Sequence, residues 1–155
     1  ASIRINQLTL LDTAILSTGV RMPAKDAILF ANDAFYVAFR SSSFDQMNEI
    51  WSKDHEISCV HPGWRPLTER EQIMESWEVI LSSSVGAEID FIDPKVFVLG
   101  DAAYVTGFEK VGGRLMSVTN VFVRDGSVWR MVHHHAGPCQ DHIAADFGVP
   151  ESTLQ

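Results

Sequence analysis

The sequence predicts a single α+β domain in which three N-terminal helices gather on one face of a curved antiparallel sheet. Three observations carry that expectation. Apolar residues recur at helical spacing up to about residue 81, then alternate with period two from about residue 87, and glycine-containing dipeptides punctuate the second half at hairpin spacing. A chain of 155 residues suits one domain, and 46% apolar with 21% charged residues is an ordinary globular balance.

Residues 1–22 read as an N-terminal arm, whose apolar Ile3, Ile5, Leu8, Leu10 and Leu11 are too loosely patterned to fix a register. Pro23 suits the first turn of a helix, where its missing N–H costs nothing. From Ala24 to Arg40, Ile28, Ala31, Phe35, Ala38 and Phe39 mark one apolar face, and Ser41-Ser42-Ser43 breaks the helix. Ser43 with Gln46 forms a capping-box pattern for a short second helix carrying Met47, Ile50 and Trp51. Thr68 with Glu71 repeats the pattern before a third helix with Ile73, Trp77, Ile80 and Leu81 as its stripe, ending at serines 82–84 and Gly86. A short strand near 57–61 precedes that helix. Longer strands are expected over 87–99, 102–110, 114–124 and 128–136, separated by Gly100-Asp101, Gly112-Gly113 and Asp125-Gly126. Pro94 cannot donate to a ladder, which calls for an edge position or a bend. The domain then spans 23–138, and 139–155 form a peripheral tail.

A formal charge of −8 disfavours nucleic acid or an anionic membrane as the main partner. No apolar run approaches the roughly 20 residues of a membrane span, and no basic segment followed by an unbroken apolar core opens the chain. The expectation is a cytoplasmic protein. Cys59 and Cys139 lack CxxC or zinc-type spacing and are expected as reduced thiols. Gly-rich phosphate loops, GxSxG and HExxH are absent.

The candidate site is a set of histidines. Strict alternation along Val128–His135 puts Trp129, Met131, His133 and His135 on the face covered by helices and His134 on the other. Two imidazoles lining a cavity suit proton transfer or hydrogen bonding, while buried histidines satisfied by backbone or carboxylate groups are the competing reading. HxH on a strand can also chelate a metal, with His61 as third ligand, but no carboxylate or cysteine at tight spacing supports it, and no metal or cofactor is expected. His61-Pro62-Gly63-Trp64 is a turn that presents His61 and Trp64 at a pocket rim. Glu109 shares a face with Ala103, Val105 and Gly107, where it orients a histidine, acts as a base or sits as a rim charge. Asn120, amid Val118, Val121 and Phe122, is either a ligand-reading amide or a satisfied structural one.

In order along the chain, AFYVAF, HPGW, EREQIMESW, AAYVTGFE, TNVFVRDG and WRMVHHHAGP resemble the SnoaL-like branch of the nuclear-transport-factor-2-like superfamily over about residues 24–138. The closing strand also resembles that of the calcium/calmodulin-dependent protein kinase II association domain. The resemblance implies a cone-shaped, cystatin-like domain with a pocket between sheet and helices, and homodimers packed through their sheets. It implies pocket positions at His61, Trp64, Glu109, Asn120, His133 and His135. Glu69 stands where comparable members have Gly, and Gly137 where they have Ser, which removes a hydroxyl from the pocket mouth. The superfamily holds ketosteroid isomerase, scytalone dehydratase, limonene-epoxide hydrolase and polyketide cyclases beside non-catalytic assembly domains, so fold alone does not give function. The isomerase's paired Asp and Tyr signature is not recognisable here. The expectation is a domain binding a small, partly apolar molecule, with His-based lyase or isomerase chemistry. His135, His133, His61 and Glu109 are its catalytic candidates, and Trp64, Asn120, Trp51 and Trp77 its substrate-binding candidates. The alternative is a non-catalytic ligand-binding or assembly module.

Overall fold

A computed structural model describes residues 22–139. The expected arm over 1–22 and tail over 139–155 lie outside the described residues, apart from Met22 and Cys139. Helix α1 runs Ala24–Arg40, α2 Phe44–Ile50 and α3 Arg70–Ser83, with strands β1 Ser58–Val60, β2 Ile89–Leu99, β3 Ala102–Val111, β4 Arg114–Asp125 and β5 Val128–Pro138. The strands form one sheet in the order β1-β5-β4-β3-β2, antiparallel except for the parallel pair β1–β5. This is the α+β plan expected, with elements starting and ending within a few residues of the predicted limits.

Local chemistry accounts for most of these limits. Ser43 caps α2 by accepting from the Gln46 N–H. Thr68 caps nothing: α3 begins at Arg70 with Glu69 as an N-cap that makes no side-chain bond. Arg70 instead donates to the Ser52 and Asn48 carbonyls and to Asn48 Oδ1, which fastens the start of α3 to the end of α2. Pro94 lies on the edge strand β2, where the register with β3 shifts between Ile92 and Lys95 and Asp93 takes φ +54°.

The core lies between the helices and one face of the sheet. Phe35, Met47, Trp51, Ile73, Trp77 and Leu81 come down from the helical side onto Val105, Phe122 and Met131. Full burial of each such side chain contributes about 1.5–3 kcal/mol. Trp51, which bridges to Met131 beside β5, is wholly buried core.

One departure from regular alternation decides the site. Phe122 pairs with Met131 and Val121 with His133, so Val132 is an extra residue in β5. Such a bulge moves every later residue to the opposite face. Trp129 and Met131 point into the core as alternation requires, but beyond Val132 the inward residues are His134 and Ala136. The expected arrangement of the triple histidine is therefore reversed: His134 faces the helices, while half-buried His133 and exposed His135 face outward.

Candidate functional site

Four elements deliver polar side chains into the otherwise apolar layer between helices and sheet. Helix α1 supplies Asn32 and Tyr36 one turn apart, β3 supplies Glu109, β4 Asn120 and β5 His134, all at most 5% exposed. Asn120 and His134 are register partners across β4–β5, so their side chains meet on the inner face.

Hydrogen bonding fixes the direction of each proton in this chain. Asn120 Nδ2 donates to Asn32 Oδ1 at 2.8 Å and to the Tyr36 hydroxyl at 3.2 Å. The Tyr36 hydroxyl in turn donates to Glu109 Oε1 at 2.8 Å. Asn120 Oδ1 is left as acceptor for His134 Nδ1 at 2.7 Å, so His134 carries its proton on Nδ1. Its Nε2 lone pair is free and stands 4.0 Å from Glu109 Oε1.

Burial, with no cation beside it, pushes the Glu109 carboxyl up to about 7, partly offset by the Tyr36 hydrogen bond. Burial also pushes His134 down to about 3, with further lowering from His61, His133 and His135. The Tyr36 phenol is raised well above its ordinary value by burial and by Glu109. His134 and Glu109 are thus not an ion pair: the imidazole is neutral, and the carboxyl changes state near neutrality.

His61 joins this layer from the HPGW turn. The Trp64 N–H donates to the His61 carbonyl, with Pro62 and Gly63 between them and Gly63 at φ +80°, a conformation that suits glycine. Ser76 on α3 donates its hydroxyl to the Ile73 carbonyl and can only accept from His61 Nε2, at 2.8 Å. His61 is therefore the Nε2–H tautomer with its lone pair on Nδ1, and burial holds it neutral, down to about 4. Its ring meets Trp77 and Trp64 edge to face at 4.7 and 5.0 Å and lies 6.5 Å from His134. Cys59, within 3.9 Å of the His61 ring, is pushed up to about 12 by burial and is not a nucleophile.

Of the residues singled out from sequence, His61, Glu109, Asn120 and Trp77 are brought together around His134. Trp64 is half-exposed above His61, and Trp51 is core beside β5. His133 and His135 lie across the sheet: His133 Nδ1 meets Ser58 Oγ at 2.7 Å, and His135 lines an outer-face groove of about 490 Å³ with Lys95, Thr106, Ser117 and Thr119. Sequence reasoning missed Asn32, Tyr36 and Ser76. The signal for the first two was a polar side chain one turn from Ile28 and another a turn further, on the apolar stripe of α1. Among the described residues, no group of three or more His, Cys, Asp and Glu side chains is arranged to hold a metal ion.

Residues 28–139 match the family model of the SnoaL-like domain. The chain is 28% identical to a protein of Streptomyces avermitilis described as a candidate dehydratase of the NTF2-like family, with TM-score 0.70 over 74% of this chain and 95% of that one. It is 30% identical to a candidate calcium/calmodulin-dependent protein kinase type II association domain from Thiobacillus denitrificans, with TM-score 0.63 over 71% of this chain and 93% of that one. It is also 26% identical over 112 residues to the F-box protein SKIP8 of Arabidopsis thaliana, covering 71% of this chain and 48% of that protein. The chain thus spans about half the length of that curated relative.

Proposed function

The chain belongs to the SnoaL-like domain family of the nuclear-transport-factor-2-like superfamily, and from that premise we propose that it binds a small, partly apolar molecule between helices and sheet and moves a proton on it. The reaction class is dehydratase or isomerase. The observation that carries this reading is Glu109: a carboxyl 5% exposed, without a cation, held by one tyrosine hydroxyl and facing an imidazole lone pair at 4.0 Å. Burial of this kind is costly for stability and tunes a carboxyl for acid–base work near neutrality. With its titration near 7, both the carboxylate that abstracts a proton and the acid that returns it are populated at neutral pH. Tyr36 orients Oε1, and His134 offers an uncharged acceptor beside it. His61 Nδ1 is a second neutral acceptor, 3.9 Å from Cys59 Sγ. His133 and His135 take no part.

The test is a thermal-shift screen of hydroxyketone and enone metabolites, followed by turnover assays of the stabilising compounds. Glu109→Gln is expected to bind such a compound and convert it at least about 100-fold more slowly. Equal conversion by both proteins refutes the proton-transfer role, and a screen in which nothing stabilises the wild type refutes ligand binding.

A second reading, an assembly module without catalysis, is favoured by two observations. The Thiobacillus relative is described as an association domain. The Phe35 and Trp77 rings pack 5.0 and 5.6 Å from the His134 ring, with the groove of about 490 Å³ on the opposite face. Homodimerisation through the sheet fits both readings, since the outer face carries Phe97 stacked on Tyr104 at 4.6 Å, with Phe97 42% exposed. Size-exclusion chromatography with light scattering separates them, a dimer fitting either and a larger ring only the second. Cytoplasmic residence belongs to the same proposal. Cys59 is a free thiol, and no described helix is long and apolar enough to cross a membrane.

A further inference from the structure

We propose that Asn32 and Trp77 are the ligand's hydrogen-bond donors at this site and that the ligand presents to them an uncharged carbonyl oxygen. The inference deepens the ligand-binding reading above and rests on it.

Asn120, one of the substrate-binding candidates named from the sequence, has no donor left. Both protons of its amide nitrogen are committed, to Asn32 Oδ1 and to the Tyr36 hydroxyl. The Tyr36 proton is committed to Glu109, the His134 Nδ1 proton to Asn120, the His61 Nε2 proton to Ser76 and the Ser76 proton to Ile73. Three buried side-chain donors among the described residues have no hydrogen-bond partner, Asn32 Nδ2, Trp51 Nε1 and Trp77 Nε1, and of these Asn32 and Trp77 stand beside this cluster while Trp51 lies beside β5 at Met131. Asn32 is bonded directly to Asn120, and the Trp77 ring lies 5.6 Å from His134 and 4.7 Å from His61, so both flank the same cluster. A buried N–H left unsatisfied costs about 1–3 kcal/mol, which an acceptor entering the site recovers.

The charge of that acceptor follows from its surroundings. Among the described residues the buried polar and charged ones are Asn32, Ser52, His61, Ser76, Glu109, Asn120 and His134, with no lysine or arginine among them. An anionic ligand would meet Glu109 with no cation to offset it, whereas a ketone or enone oxygen accepts from an amide and an indole without bringing a charge.

The test compares cyclohexanone with methylenecyclohexane, its isostere in which CH2 replaces the oxygen, by NMR titration of the ¹⁵N-labelled full chain. The Trp77 indole N–H resonance is identified by its loss in Trp77→Phe. The ketone is expected to bind the wild type at least as tightly as the isostere despite its larger desolvation cost, and to move the Trp77 indole proton downfield. Trp77→Phe is expected to weaken the ketone about tenfold and leave the isostere within about threefold. If the isostere binds the wild type more tightly and the ketone leaves the Trp77 resonance in place, the donor assignment is overturned while the ligand site stands. If neither compound binds, the ligand site itself is overturned, and the donor assignment falls with it. The two wild-type affinities do not depend on the variant folding, and an isostere that binds the wild type more tightly than the ketone overturns the donor assignment by itself.

Discussion

Replacing Glu109 with Gln removes an ionisation while keeping an oxygen that can accept from the Tyr36 hydroxyl. In the fold the Glu109 carboxyl sits at about 7, against an ordinary 4.5. Between those values the folded state holds a proton that the unfolded state has released, so this group's contribution to stability falls as pH rises from about 4.5 and levels off above about 7. At about 1.36 kcal/mol for each intervening pH unit, Glu109→Gln gains about 3 kcal/mol on the wild type over that window. The difference between the two proteins is the quantity to measure. Buried His61 and His134, held neutral at about 4 and about 3, impose the opposite slope on both as their unfolded imidazoles take up protons below 6.5. Urea unfolding followed by tryptophan fluorescence at pH 5, 6, 7 and 8 gives that difference directly. A gap that stays constant within about 0.5 kcal/mol across the series refutes the raised carboxyl and removes the main support for the proton-transfer role.

The bulge at Val132 makes a paired prediction. His134→Ala is expected to cost about 2–4 kcal/mol through a cavity and an unpartnered Asn120 oxygen, and His135→Ala within about 0.5 kcal/mol of zero, as measured by urea unfolding at pH 7; strict alternation predicts the reverse order. Gly107→Ala should destabilise by about 1–3 kcal/mol, since a Cβ there would meet Phe91 Cζ at 2.5 Å and the Ile92 carbonyl oxygen at 2.8 Å, and a melting temperature equal to wild type would contradict that packing. On acidification, His134→Phe should lose less stability between pH 6.5 and pH 4 than the wild type, because it no longer leaves an imidazole to be protonated only on unfolding; identical acid-unfolding midpoints would count against a neutral buried His134.

The helices were legible in the sequence because each must bury a stripe at period 3.6, and Ser43 fixed one start by a local bond that needs no tertiary partner. The hairpins were legible for the same local reason, as Gly112-Gly113 and Asp125-Gly126 suit the turns that join the strands. The inward positions of Glu109 and Asn120 were also readable, since β3 and β4 pair without a break from Ala102 to Val111. What could not be read by counting alone was the far end of β5. Alternation carries side-chain direction only while no residue is inserted, and Val132 inserts one with neither Gly nor Pro to announce it. A trace of the change is present, because the core residues shift from odd positions, Trp129 and Met131, to the even Ala136. Local sequence therefore determined the elements, their order and which histidines were candidates. The tertiary structure alone decided which histidine faces Glu109 and which donors stay free, because strand register and the competition among Asn32, Tyr36, Asn120 and His134 for one another's protons exist only once α1, β3, β4 and β5 have met.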